Sequence, residues 1–280
     1  MKVTLLGTGS PLPSATCAGP STLVQASDQH VLVDAGRAVV MRLAGAMCPP
    51  PFLSAVLLTH LHSDHICDLN DVVTTRWIAT PAATPLRIFG PVGTRKMVDG
   101  MLAMLELDES YRMGHHDDLR AAGGMKVEVT EVQPGDSFAL GDVSVSVHRT
   151  DHRPVSPTVG FRFEHGGVVA ALAGDTIPCP ELDVMVKDAD MYVQTVLRED
   201  LVRQFAPLVP TSERFLDILD YHSTVQQAAQ TAARNGVKTL VLTHFVPAIQ
   251  PGQEDEWRAL AAEHFAGEIV VGPDLTAVER

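Results

Sequence analysis

Three histidines and a carboxylate crowd into Thr59-His60-Leu61-His62-Ser63-Asp64-His65, directly after the apolar run Ala55-Val56-Leu57-Leu58. Imidazole and carboxylate are the side chains that hold borderline divalent cations, and a metal site explains the crowding economically. If the apolar run is a buried strand, the residues after it form a loop at the strand end, where side chains can converge on a point. His60 and His62 then reach one ion, and Asp64 and His65 are offset enough to reach a second. The donor set contains no thiolate and fits zinc, with manganese and iron also compatible. A solvated loop rich in histidine would account for this stretch alone, but not for the recurrence of ligand types at later strand ends.

Two further apolar runs stop at a metal-binding side chain. Val168-Val169-Ala170-Ala171-Leu172-Ala173 ends at Gly174-Asp175-Thr176, and Thr239-Leu240-Val241-Leu242-Thr243 ends at His244. A carboxylate has two oxygens, so Asp175 could bridge two ions held roughly 3.5–4 Å apart, the separation used in two-metal hydrolysis. One more nitrogen ligand is wanted, and Val143-Ser144-Val145-Ser146-Val147-His148-Arg149-Thr150-Asp151-His152 offers two. Strict alternation makes this a half-buried strand with the valines on one face and His148 beside Ser144 and Ser146 on the other. His152 lies beyond the strand, in a loop like the other ligands, and is preferred to His148.

In this order, the His-x-His-x-Asp-His signature, a later histidine, Gly-Asp-Thr and Leu-Thr-His resemble the metallo-β-lactamase superfamily over essentially the whole chain. The opening Leu5-Leu6-Gly7-Thr8-Gly9-Ser10-Pro11, Leu32-Val33-Asp34-Ala35-Gly36 and Tyr221-His222-Ser223-Thr224 narrow the resemblance to the ribonuclease Z-like and arylsulfatase-like branch. The resemblance implies a four-layer αββα sandwich of two mixed sheets flanked by helices, with a dinuclear centre. One ion would take His60, His62 and His152, the other Asp64, His65 and His244, and Asp175 would bridge.

Elements that could position such a centre are readable along the chain. Periodicity and end signals predict helices around Arg37–Met47, Ile66–Ile78, Thr94–Leu105, Thr224–Asn235 and Glu254–Phe265, alternating with strands. No low-complexity linker divides the 280 residues, of which 45% are hydrophobic, so a single domain over 1–280 is expected. The segment 106–125 is polar and glycine-containing, and reads as a lid, a homodimer-contact loop or a plain solvated loop; His115, His116, Asp117 and Asp118 within it are ligand types without an obvious centre. Trp77, at helical spacing from Val73, reads as core or interface. The N-terminal apolar run is too short for a signal-peptide core, no run has membrane-spanning length, and Cys17, Cys48, Cys67 and Cys179 show no paired spacing; a cytoplasmic protein is expected. Cys67 and Cys179 read as small buried residues, with a place behind the ligands as the alternative.

Charge and insertions then bear on substrate. Lys and Arg number 21 against 34 Asp and Glu, a net charge of −13 with no basic block, which disfavours attraction of a nucleic-acid backbone. The resemblance to ribonuclease Z implies a protruding RNA-grasping arm between the third and fourth metal motifs. Residues 153–174 leave room there for a hairpin only. Gln194 also stands where those nucleases carry a glutamate. The expectation is therefore a dinuclear hydrolase of a small-molecule ester (phosphodiester, aryl sulfate, lactone or related) attacked by a metal-bridging hydroxide, with nucleic acid an unlikely partner. Ribonuclease Z-type processing of transfer-RNA 3′ ends is the alternative, and β-lactam hydrolysis ranks below it.

Two residues have catalytic roles in this reading. Asp64 would orient the nucleophile and accept its proton. His222 precedes Ser223-Thr224-Val225-Gln226, which has the form of a capping box, and would sit near a helix N-terminus favourable to negative charge. The resemblance also places His222 beside the scissile group as proton donor or charge-stabilising contact. Arg198, Arg203 and Arg214 flank a proline-containing stretch that could overhang the cleft and contact an anion, or lie solvated. Asp34, ending a strand near the cleft, is a candidate to support the histidine ligands from behind.

Overall fold

Alternation along the central strands sends successive side chains to opposite faces, and here both faces are covered, so the strands read as continuous apolar runs. The computed structural model describes residues 1–81, 84–208, 210–250 and 252–280. The first sheet holds β1 (Lys2–Gly7), β2 (Ser21–Ala26), β3 (Gln29–Val33), β4 (Ala55–Leu57), β5 (Leu86–Gly90) and β6 (Val127–Glu131). The second holds β7 (Ser137–Leu140), β8 (Val143–Arg149), β9 (Val159–His165), β10 (Val168–Leu172), β11 (Met191–Leu197), β12 (Thr239–Val246) and β13 (Glu268–Val270). The last strand, β14 (Ala277–Glu279), returns to β1, giving sheet orders β14-β1-β2-β3-β4-β5-β6 and β13-β12-β11-β10-β9-β8-β7. Both sheets are mixed: β3 to β6 and β10 to β13 run parallel, the remaining neighbours antiparallel.

The layers follow from the period of two. Val31, Val33, Ala55 and Leu57 of the first sheet meet Val145, Val147, Phe161, Phe163 and Val241 of the second in an inner core. Their alternates Leu32 and Val56 face outward onto α1 (Val39–Gly45), α3 (Leu69–Ala79) and α4 (Thr94–His115). On the far side, Leu240 and Leu242 pack against α6 (Pro180–Val186), α9 (Val225–Arg234) and α10 (Glu254–Ala262). The architecture is the αββα sandwich expected. Among the described residues no helix is long and apolar enough to cross a membrane.

Three details differ from the sequence expectations. The 106–125 segment is not a loop: α4 runs on to His115, and α5 (Asp117–Ala122) follows. Its residues Glu106, Leu107 and Glu109 are strong helix formers, and the Asp108–Arg112 pair at 2.8 Å adds (i, i+4) support. The apolar stripe fades there because this part of the helix has little to pack against, leaving Met104, Leu107 and Tyr111 exposed. The capping box lies one residue further on, with Thr224 accepting from Gln227 N and Gln227 Oε1 accepting from Thr224 N. Cys67 is exposed, although Cys48 is buried as a small core residue. Trp77 is buried and its indole N–H donates to the Gly123 carbonyl at 3.1 Å.

Candidate metal centre

Parallel strands end on one edge of each sheet, and the two edges face each other over a cleft. His60 follows β4, and a one-turn helix, α2 (Ser63–Ile66), folds Asp64 and His65 back beneath it. His152 follows β8, Asp175 follows β10, and His244 lies near the end of β12. Two of these positions require unusual backbone. Gly174 has φ +65°, and a Cβ there would lie 2.8 Å from both Cβ and Oγ1 of Thr59, so only glycine lets the Asp175 loop close on the Thr59 loop. His244 has φ +51° within its strand, a conformation that costs energy in an imidazole-bearing residue and turns its side chain into the cleft.

All seven expected ligands converge. His60 Nε2 lies 3.1 Å from His62 Nδ1, and His152 Nε2 lies 3.3 Å from the same atom. Asp64 Oδ2 is 3.3 Å from His244 Nε2 and 3.6 Å from His65 Nε2. Between the two groups, Asp175 Oδ2 stands 3.9 Å from His60 Nε2, 3.8 Å from His152 Nε2, 3.5 Å from His65 Nε2 and 3.6 Å from His244 Nε2. His148 stays outside, half-buried on the other face of its strand and paired with Ser146 Oγ at 3.0 Å.

Hydrogen-bond accounting explains why these contacts suit a cation. The Thr59 hydroxyl donates to Asp34 at 2.9 Å, so its oxygen accepts from His60 Nδ1–H at 3.0 Å. His152 Nδ1–H donates to the Tyr221 carbonyl at 2.8 Å, and His65 Nδ1–H donates to Asp34 at 2.8 Å. With those protons committed, the Nε2 atoms of all three point lone pairs into the cluster, and lone pairs cannot bond one another. His65 Nε2 and Asp175 Oδ1 are buried with no hydrogen-bond partner, which is costly unless something absent from the chain satisfies them. Spacings of 3.1–3.9 Å bracket the edge of about 3.4 Å of a tetrahedron whose ligands lie about 2.1 Å from its centre. The residues fit divalent metal.

Protonation follows the same pattern. Burial, reinforced by His65, holds His60 well below the ordinary imidazole value, and burial lowers His62 and His152, favouring the neutral form that a cation requires. Burial by itself would raise Asp175, but the imidazoles of His244 and His65 outweigh it and keep this carboxyl well below its usual range. For His65, burial is outweighed by the carboxylates of Asp175 and Asp34, which raise it and favour positive charge between Nε2 and Asp175, supplied by a proton on Nε2 where no cation is bound.

His222 joins the edge of the cluster, its Nε2 3.2 Å from Asp175 Oδ2 and its Nδ1–H donating to the Ile218 carbonyl at 3.1 Å. Gln194 does not touch it. That amide is fully buried, accepts from Tyr192 OH at 2.5 Å and donates to the Thr195 carbonyl at 2.8 Å. Arg198 is tied to Asp200 and Glu256, and Arg203 to Glu199, so both are spent on local pairs; Arg214 is exposed. His115, His116, Asp117 and Asp118 are exposed and far from forming a comparable cluster. Thr59 and the carbonyls of Ile218 and Tyr221 went unseen in the sequence. A threonine beside a ligand is a usable signal, but a carbonyl carries none.

Known proteins give a consistent comparison. Residues 29–245 match the beta-lactamase superfamily domain. Ribonuclease Z of Mycolicibacterium gilvum is 52% identical over 281 aligned positions, covering 100% of this chain and 96% of that protein. Ribonuclease Z of Mycobacterium marinum is also 52% identical, covering 100% and 98%. Among solved structures, the metallo-β-lactamase fold protein YhfI from Bacillus subtilis superposes with a TM-score of 0.75 at 21% identity, covering 99% of this chain and 98% of that one. The short form of human tRNase Z superposes with a TM-score of 0.72 at 23% identity, covering 100% and 99%.

Proposed function

The chain belongs to the metallo-β-lactamase superfamily, in its ribonuclease Z-like branch, and on that footing we propose that it is an endonuclease that processes the 3′ ends of transfer-RNA precursors. It is a metal-dependent hydrolase acting on ester bonds. The observation that carries the finer reading is identity of 52% over the whole chain with proteins named ribonuclease Z, spanning nearly all of their length. The reading takes the chain as a single domain over 1–280, because both sheets contribute ligands, and includes two zinc ions and a cytoplasmic setting.

The same identity overturns the expectation of a small-molecule ester as substrate and of nucleic acid as an unlikely partner. The reasons are physical. A net charge of −13 is a sum over the whole surface and does not report the field at the cleft, where the clustered side chains fit divalent cations. Residues 153–174 are one insertion point, and a short connection there bears on that place alone. Gln194 stands apart from His222, which the Ile218 carbonyl orients instead, so a glutamine at position 194 leaves the histidine's geometry intact.

In the proposed mechanism His60, His62 and His152 would hold one ion and Asp64, His65 and His244 the other, with Asp175 between the two groups of side chains. Bound metal supplies what the side chains lack, a lowered pKa for attacking water and positive charge for the phosphoryl oxygens. Asp64, with an oxygen facing the cleft, orients the water and accepts its proton. His222, its Nδ1–H fixed by Ile218, presents Nε2 to the leaving oxygen and, when protonated there, donates to it. The test is cleavage of an end-labelled precursor transfer RNA before chelation, after chelation and after zinc is restored. Activity lost and regained in that order supports the proposal, and an uncut precursor in all three refutes it.

A further inference from the structure

The face of the cluster that meets solvent opens into a cavity of about 640 Å³ whose wall the hydrolytic mechanism does not use. His62, Asp64, Asp175, His222 and His244 form its floor. Its roof is the stretch between β11 and His222, which folds as α7 (Glu199–Phe205) and α8 (Ser212–Asp217) and contributes Leu201, Phe205, Phe215 and Tyr221. Leu12 and Pro13, from the loop after β1, face this roof.

Two properties restrict what the cavity can hold. Among the described residues no lysine or arginine lines it, so a backbone phosphate pressed against the roof, away from the floor, would leave water without gaining a counter-charge. The roof and facing loop also hold apolar groups in water, Leu12 at 72% and Phe205 at 39% exposure, a cost that a flat uncharged ligand would relieve. A phosphodiester seated on the cluster carries a base on either side within reach of this wall.

Resting on the RNA-cleaving reading, we propose that the cavity is a subsite for one unstacked nucleobase flanking the scissile phosphate, stacked on Phe205 and Phe215. Aromatic stacking tolerates every base because each has a π-face, so the subsite contributes affinity and alignment with little sequence preference.

The test pairs protein and substrate changes. Precursor transfer RNA is made with an abasic site at each nucleotide flanking the cut, and is given to wild type and to a Phe205→Leu/Phe215→Leu variant. Leucine keeps the apolar wall and removes the ring faces, and metal content by elemental analysis checks that the centre is intact. Loss of stacking should raise KM roughly 5- to 150-fold with kcat little changed. In wild type one abasic position should produce that loss. The variant should show it on intact RNA, with no further loss on the abasic one, and Phe205→Tyr/Phe215→Tyr should restore wild-type KM. Additive losses, or an abasic series without effect in wild type, overturn the subsite while leaving RNA cleavage standing. If wild type cuts no precursor, the functional reading fails by itself. Titration with a short RNA carrying 2-aminopurine then still decides the cavity: quenching in wild type that the leucine variant loses supports it, and no quenching in wild type overturns it.

Discussion

Replacing Asp34 by asparagine should cripple the metal centre although Asp34 is not among the ligands. Its Oδ1 accepts from Thr59 N at 2.8 Å, and its Oδ2 accepts from Thr59 Oγ1 at 2.9 Å and His65 Nδ1 at 2.8 Å. Asparagine keeps the side-chain shape and tolerates the left-handed backbone at this position, φ +60°, so the substitution removes one acceptor and its charge without changing the packing. If the amide oxygen keeps Thr59 N, the NH2 group faces His65 Nδ1–H, donor against donor. His65 must then lose that bond or move its proton to Nε2, the atom aimed at the ions. The first outcome leaves a buried donor unsatisfied, at about 1–3 kcal/mol. The second removes a ligand lone pair. Groups that orient metal-binding histidines from behind typically account for about 10- to 100-fold in metal affinity or activity, and a loss of that size is expected here. Competition with a chromogenic chelator reads the affinity, and a thermal melt should show a drop of several degrees, at roughly 2–4 °C per kcal/mol for a chain of this size. An Asp34→Asn protein within twofold of wild type in zinc affinity, melting within a degree of it, would refute the reasoning.

Four further outcomes follow from the geometry. His152→Ala should remove a ligand and abolish most activity, whereas His148→Ala should leave kcat/KM within about threefold, since His148 pairs only with Ser146; the reverse order in a cleavage assay would disprove the assignment. Gly174→Ala should lower metal content, because its Cβ would press on Thr59 and alanine disfavours φ +65°, a combined penalty of about 1–3 kcal/mol. Thr224→Ala removes the capping box of α9 and should lower stability by about 1 kcal/mol with only a small effect on catalysis, read by urea unfolding beside kcat. Burial pushes the Cys48 thiol up to about 11. At pH 8 only about one part in a thousand is then thiolate, so iodoacetamide should leave Cys48 unmodified while labelling exposed Cys67, and the contrast should narrow as the pH rises towards 11.

The clustered side chains were legible because His60, Asp175 and His244 come at the ends of apolar runs, and a run buried on both faces can be recognised without knowing its partners. The alternation of Val143, Val145 and Val147 separated His148 from His152 for the same reason. Other features depend on contacts that spacing does not encode. The second half of α4 lacks an apolar stripe, with Met104, Leu107 and Tyr111 left exposed, so its helical residues resembled a loop. The cavity wall is assembled from the loop after β1, the α7–α8 stretch and residues after β12, far apart in sequence. The orientation of His152 and His222 depends on carbonyls of Tyr221 and Ile218, which every residue possesses. Substrate was the least legible, because charge summed over a surface does not report the field at a cleft, and the acidic total here argued against the partner that whole-chain identity favours.

The most direct measurement is the 3′ end formed when metal-loaded protein meets a precursor transfer RNA, mapped to the nucleotide for wild type and for Asp175→Ala. Asp175 is the carboxylate that stands between both groups of ligands, so its loss should remove the reaction and not merely weaken it. The account predicts one discrete product, cut at the 3′ boundary of the mature acceptor end by wild type and absent with Asp175→Ala. Intact precursor after prolonged incubation with zinc-loaded wild type, or the same product from the Asp175→Ala protein, would contradict it.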